Sequence, residues 1–188
     1  VSVNKDFKYG IYQTDEEYWM IEKELSQKID EKIDKEFTLV LEVDGADLLN
    51  FRYISPISNK DAPIVHADYV TRESGTGLVH IAPGHGTDDY NTGTKNRLKV
   101  FSPVDEAGRF TEEAGPELNG LNVLSDGNDK VIELIKKKNL LVLSEDYNHQ
   151  YPYDWRTGKP TIFRATHQWF ASVDKFRNLA LEEISKVK

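Results

Sequence analysis

The run Ser74-Gly-Thr-Gly-Leu-Val-His-Ile-Ala-Pro-Gly-His-Gly-Thr-Asp-Asp-Tyr90 places His80, His85, Asp88 and Asp89 among four glycines. Imidazoles and carboxylates are the side chains that move protons near neutral pH, grip an ammonium group or ligate a divalent metal. Gly84 and Gly86 flank His85 and permit backbone angles, or a close ligand approach, that a Cβ would resist. Each residue also has a plainer reading. Asp89 alone reads as a helix-start carboxylate, and Asp88 as a cap. His80 in an apolar strand reads as a hydrogen-bonded core residue, and Thr76-Gly77 as a structural turn.

The elements that must hold these groups follow from the pattern around them. Thr76 to Ala82 alternates and is rich in apolar and β-branched residues, which predicts a strand ended by Pro83-Gly84. A helix is expected from Asp89 to Asn96, with Thr87 or Asp88 as N-cap and the acidic charges favoured by the helix dipole. His80, His85 and Asp89 would then line a strand end and the mouth of the next turn. Elsewhere, Tyr9 to Gln13 and Tyr18 to Ile21 read as a hairpin around Thr14-Asp15, and Glu22 to Ile29 as a short helix. Phe37 to Val43 is a strand of strong β-formers, and Ala46 to Leu49 one helical turn. Further strands are expected at Phe51 to Ile54, Ile64 to Val70, Leu140 to Tyr147 and Thr161 to Ala165. Asn128 to Lys138 has Val131, Leu134 and Ile135 at helical spacing, and Asp174 to Lys188 reads as an amphipathic helix. Short strands interleaved with short helices imply an α+β fold, a small β-barrel with peripheral helices rather than a doubly wound sheet.

Composition narrows the function classes. The 188 residues suit one ordinary domain, and the absence of cysteine excludes disulfides and thiolate metal sites and favours a cytoplasmic origin. No apolar run approaches the roughly 20 residues needed to span a bilayer. The formal charge of -8 argues against nucleic-acid binding through the overall field. Lys136, Lys137, Lys138, Arg156, Lys159 and Arg164 remain as local basic groups. No serine sits in a Gly-x-Ser-x-Gly turn, so a serine or cysteine hydrolase is not expected. The chain opens at Val1-Ser-Val3, which reads like the middle of a strand, so an excised fragment is expected.

The run GTGLVHIAPGHGTDDY resembles the signature of the editing domain, connective peptide 1, of isoleucyl-tRNA synthetases. Valyl relatives usually carry Lys, and leucyl relatives an apolar residue, at the position of His80; both read Ala-His-Asp where this chain reads Gly84-His85-Gly86. A second block, Tyr151-Pro-Tyr-Asp-Trp-Arg-Thr-Gly-Lys-Pro160 followed by Ile162 to Phe170, resembles the segment by which that family leaves the editing domain. The resemblance divides the chain into an editing core over 1–150 and an exit segment with a C-terminal helix over 151–188.

The resemblance implies hydrolysis of valine wrongly esterified to tRNA(Ile), with valyl-adenylate as a second substrate. It places Asp89 on the substrate α-ammonium and His80 at the wall that limits side-chain size, near the scissile ester. Thr76, Gly77, Gly84, His85, Gly86 and Asp88 complete the implied binding set. Implied partners are the tRNA acceptor end and the rest of a monomeric synthetase, with no cofactor in this domain; ATP and Mg would serve the parent catalytic domain. Two departures stand out. The family's threonine-rich peptide is expected upstream of Val1, and Ile81 replaces a frequent Thr. Around Trp155, Asp154 and Thr157 lie near positions where some relatives carry cysteines, so no zinc site is implied. The rival readings are a metal-dependent hydrolase built on His80, His85 and Asp89, and a non-catalytic tRNA-binding module.

Overall fold

The computed structural model describes residues 1–187 except 16, 34 and 147, so Tyr147 and Lys188, the ends of two expected elements, lie outside the described residues. The elements in chain order are strands Ser2–Val3 (β1), Lys8–Gln13 (β2) and Tyr18–Glu22 (β3), helix Ser26–Ile33 (α1), strand Thr38–Asp44 (β4), helix Gly45–Leu48 (α2), and strands Arg52–Ile54 (β5), Asp61–Pro63 (β6) and Val65–His66 (β7). Helix Thr87–Lys95 (α3), a 3-10 turn at Glu112–Ala114, and helices Asp126–Lys137 (α4) and Arg177–Lys186 (α5) follow.

The expected hairpin is present. β2 and β3 pair antiparallel from Tyr9 opposite Glu22 to Gln13 opposite Tyr18, and β4 adds to the other edge of β2. A register shift between Ile11 and Tyr12 leaves Val40 of β4 unpaired and locally bulged. Tyr9 and Tyr12 lie on opposite faces of β2 by the two-residue period and feed two cores. Tyr9 packs with Val3, Leu48 and Ile64, whereas Tyr12 packs with Ile21 and Leu25, with Trp19 and Phe37 alongside.

The fold is α+β, but it is not the expected barrel. The strands form a β3-β2-β4 sheet and two two-stranded sheets, β1-β7 and β5-β6, and none closes. The reason lies in segments whose composition favours strands but which find no ladder. Of Thr76 to Ala82, only Val79 pairs, as an isolated bridge to Ser2, with Ser2 N donating to Val79 O at 2.8 Å and Val79 N to Ser2 O at 2.9 Å. β1 offers only two residues to pair with, so the bridge cannot extend. Ile64 to Val70 shortens to β7 because Val70 N turns back onto Ala67 O. The described part of 140–147, and 161–165, form no strand, although Tyr153 and Pro160 bridge in the exit segment.

The helices shift by a few residues. α1 starts after the expected Glu22 because Glu22 belongs to β3 and is fully buried. Its Oε1 accepts from Arg72 Nε at 2.8 Å, and its Oε2 from the N–H groups of Glu24 and Leu25 at 2.8 and 3.2 Å. α5 is shorter than expected and buries no residue. α4 buries Leu134 and carries lysine pairs to Glu133 on its outer face. No helix among the described residues is long and apolar enough to cross a membrane.

Candidate active site

Asp89 lies in the first turn of α3, where the helix dipole favours an anion. Its carboxylate is pinned on both sides: Ala82 N donates to Oδ2 and Tyr69 Oη to Oδ1, each at 2.8 Å. The Ala82 contact draws the chain after His80 against the start of α3. Asp89 therefore locks the glycine turn rather than capping its helix. The expected cap is corrected too. Gly86 is the N-cap in extended conformation, no side chain bonds there, and both Thr87 and the exposed Asp88 fall inside the helix.

His80 follows directly on the Ser2–Val79 bridge and is exposed on one side. Desolvation by the surrounding protein lowers its pKa below the usual 6.5, and Asp89 opposes that shift. The ring is thus held towards its neutral form and is close enough to Asp89 to feel its charge. The Val1 nitrogen lies 3.2 Å from Tyr53 Oη. His80, Asp89, Tyr69, Tyr53 and the Val1 end of β1 accordingly form one neighbourhood.

His85 is turned away from this group. Its Nδ1 faces the Phe163 carbonyl at 3.0 Å, a geometry in which Nδ1 carries the proton and donates, and the buried Nε2 meets no hydrogen-bond partner among the described residues. Ala165 N donates to Gly84 O at 2.8 Å, and Arg164 Nη1 to Val104 O at 3.0 Å, so the exit segment is strapped across the Gly84-His85-Gly86 turn. His80, His85 and Asp89 are not brought together as a ligand set: no three His, Cys, Asp or Glu among the described residues converge to hold an ion.

The glycines divide by role. Gly77 has a φ of +75°, and a Cβ there would lie 2.3 Å from Glu22 Cβ. Its carbonyl accepts from the buried Tyr9 hydroxyl at 2.9 Å, while Thr76 Oγ1 is taken up by the Leu78 backbone. Thr76 and Gly77 therefore form a turn docked on Glu22. Gly84 presses on the Phe101 carbonyl, 2.2 Å from an ideal Cβ. Gly86 differs, because a Cβ there would meet only Asp89, at 3.9 Å and beyond. Ile81 points into the protein, 9% exposed, so the place of the family's frequent Thr is a core position here.

Two surface hollows lie elsewhere. One of about 420 Å³ is lined by Lys8, Leu41, Glu42, Val43, Asp44, Asp47 and Phe51, and one of about 250 Å³ by Thr14, Asp15, Lys35 and Glu36. Neither includes a residue of the glycine-rich run, and neither has a buried, pinned carboxylate. The candidate site rests on the hydrogen bonding at Asp89 rather than on these hollows. Tyr69 and Ser2 carry no local sequence signal for such a role. They become visible only once the fold brings them to Asp89.

The α+β fold and this turn agree with the resemblance to an editing module of the aminoacyl-tRNA synthetases, and comparison with known proteins shows that family. The family described as leucyl-tRNA synthetase, editing domain, matches residues 16–131, and this chain belongs to it. Isoleucine–tRNA ligases of Prochlorococcus marinus (strain AS9601) and Acaryochloris marina (strain MBIC 11017) are 51% and 47% identical across 100% of this chain. The chloroplastic/mitochondrial isoleucine–tRNA ligase of Arabidopsis thaliana is 57% identical over 77% of the chain, which aligns with 13% of its length. The chain spans 20% and 19% of the two bacterial relatives. The crystal structure of GlLeuRS-CP1 shares the fold, with a TM-score of 0.59 at 16% identity over 77% of each chain.

Proposed function

We propose that this chain hydrolyses valine from mischarged tRNA(Ile), and assists in clearing valyl-adenylate, as the editing domain of an isoleucyl-tRNA synthetase. One methylene separates isoleucine from valine, and a hydrophobic pocket extracts only about 1–3 kcal/mol from it, roughly 10 to 200-fold discrimination. A second site that admits the smaller product and hydrolyses it supplies the missing accuracy. The observation that supports this reading most is the Asp89 carboxylate held by Ala82 N and Tyr69 Oη, with the His80 imidazole, its pKa lowered, near enough to feel its charge. That pair offers a fixed anion for an α-ammonium without a competing cation on His80. The ester is already activated. Water adds to its carbonyl, the tetrahedral adduct collapses, and the products are free valine and the terminal ribose hydroxyl of the tRNA, with no covalent enzyme intermediate.

In this reading His80 limits side-chain size and orients the ester, and Gly86 leaves room in front of Asp89. Thr76, Gly77, Gly84 and His85 shape the turn. The partners are the tRNA acceptor end and the remainder of a monomeric cytoplasmic synthetase, and no cofactor takes part in the ester hydrolysis. The test is deacylation by the full synthetase. Asp89→Ala is expected to reduce clearance of valyl-tRNA(Ile) by about 10 to 100-fold, the loss of one charge-assisted contact, while isoleucine activation stays unchanged. Undiminished clearance contradicts the role of Asp89. Binding of valyl-tRNA without hydrolysis by the unaltered synthetase would identify a non-catalytic module instead.

A further inference from the structure

The Asp89 carboxylate depends on a residue outside the glycine-rich run. A carboxylate offers about four lone-pair sites. Ala82 N occupies one on Oδ2 and Tyr69 Oη one on Oδ1, and no other hydrogen bond reaches it among the described residues. The two donors fix the plane of the group and leave the remaining lone pairs for a cation. Ala82 contributes a backbone N–H that only proline would remove, so Tyr69 is the half of the clamp that a side-chain change can adjust.

Tyr69 is itself held. It sits in the loop after β7, next to Val70, which is 1% exposed and whose carbonyl accepts from Asn4 Nδ2 at 3.3 Å. Behind it lies Ser2 Oγ, 3.5 Å from Tyr69 Oη and 3.2 Å from the Val79 carbonyl, on a residue with no exposed surface. Contacts thus run from β1 through Tyr69 to α3.

We propose that Tyr69 is the positioning residue for ammonium recognition, holding Asp89 in the rotamer and plane that receive the substrate's α-amino group. This rests on the assignment of Asp89 to the ammonium. Tyr69 touches no reacting atom. Its loss should therefore weaken binding of amino-bearing substrate, and should be silent on a substrate without that group.

The experiment compares the full synthetase with its Tyr69→Phe and Asp89→Ala variants on two esters of the same tRNA, valyl and the des-amino 3-methylbutanoyl analogue. Tyr69→Phe is expected to lower kcat/KM on the valyl ester about tenfold, through KM, in line with one hydrogen bond to a charged group. It should leave the des-amino ester at the unaltered rate. Adding Tyr69→Phe to Asp89→Ala should cost nothing further, because the two act as one unit. Equal losses on both esters, including loss from misfolding, would make Tyr69 merely structural and overturn the proposal. So would an unchanged valyl rate in Tyr69→Phe when Asp89→Ala is impaired. If Asp89→Ala itself clears valyl-tRNA normally, the ammonium assignment falls, and this inference with it.

Discussion

At the residue scale, the neutral state of His80 matters as much as the charge of Asp89. Desolvation holds the imidazole pKa below 6.5, against the pull of Asp89. A lowered folded pKa means that the folded protein prefers the neutral ring. The corresponding stability is complete above about pH 6.5 and is lost as pH falls through the lowered value. Protonation would also put a cation beside Asp89 in competition with the substrate ammonium. KM for valyl-tRNA should accordingly rise as pH drops from about 7 towards about 5.5, with the midpoint below the ordinary imidazole value. His80→Ala should flatten that rise and let correctly charged isoleucyl-tRNA be attacked. Deacylation of both esters across this pH range checks it. A pH profile unchanged by His80→Ala, with discrimination intact, would remove His80 from the site.

At the element scale, the turn between the Val79 bridge and α3 does the positioning, and its glycines separate packing from access. Gly84→Ala drives a Cβ into the Phe101 carbonyl and should cost about 1–3 kcal/mol or more. Gly86→Val, at an extended backbone position with open space, should cost only the N-cap preference, about 0.5–1 kcal/mol, while filling the approach to Asp89. Thermal unfolding and deacylation, measured together, should show Gly84→Ala losing stability and Gly86→Val losing KM. The reverse pattern would contradict the division. Sequence reached this turn, α3, α4 and the β2-β3 hairpin because each rests on local signals: a Pro-Gly break, acidic first-turn residues, helical spacing and alternation. It failed for 76–82 and 161–165 because β content favours a strand but cannot supply its partner. Residues 76–82 face a two-residue β1, and residues 163–165 spend their hydrogen bonds on the Gly84-His85 turn and Val104. The same nonlocality hid Tyr69, which is 20 positions from the carboxylate it holds.

At the scale of the whole molecule, the site is the meeting point of three distant parts of the chain. β1 supplies Ser2, the loop after β7 supplies Tyr69, and the exit segment straps the turn through Ala165 and Phe163. The buried Glu22, paired with Arg72, ties the hairpin to the loop that leads into Thr76-Gly77. The chain spans about a fifth of the length of its isoleucine–tRNA ligase relatives, and its net charge of -8 argues against nucleic-acid binding through the overall field. The most direct measurement is a crystal structure of the full synthetase with a non-hydrolysable valyl-adenosine analogue. The account predicts the analogue's ammonium nitrogen at about 2.8 Å from an Asp89 oxygen, a charge-assisted hydrogen-bond distance, with His80 against the valine side chain. An analogue seated elsewhere, or with its ammonium turned from Asp89, would contradict it.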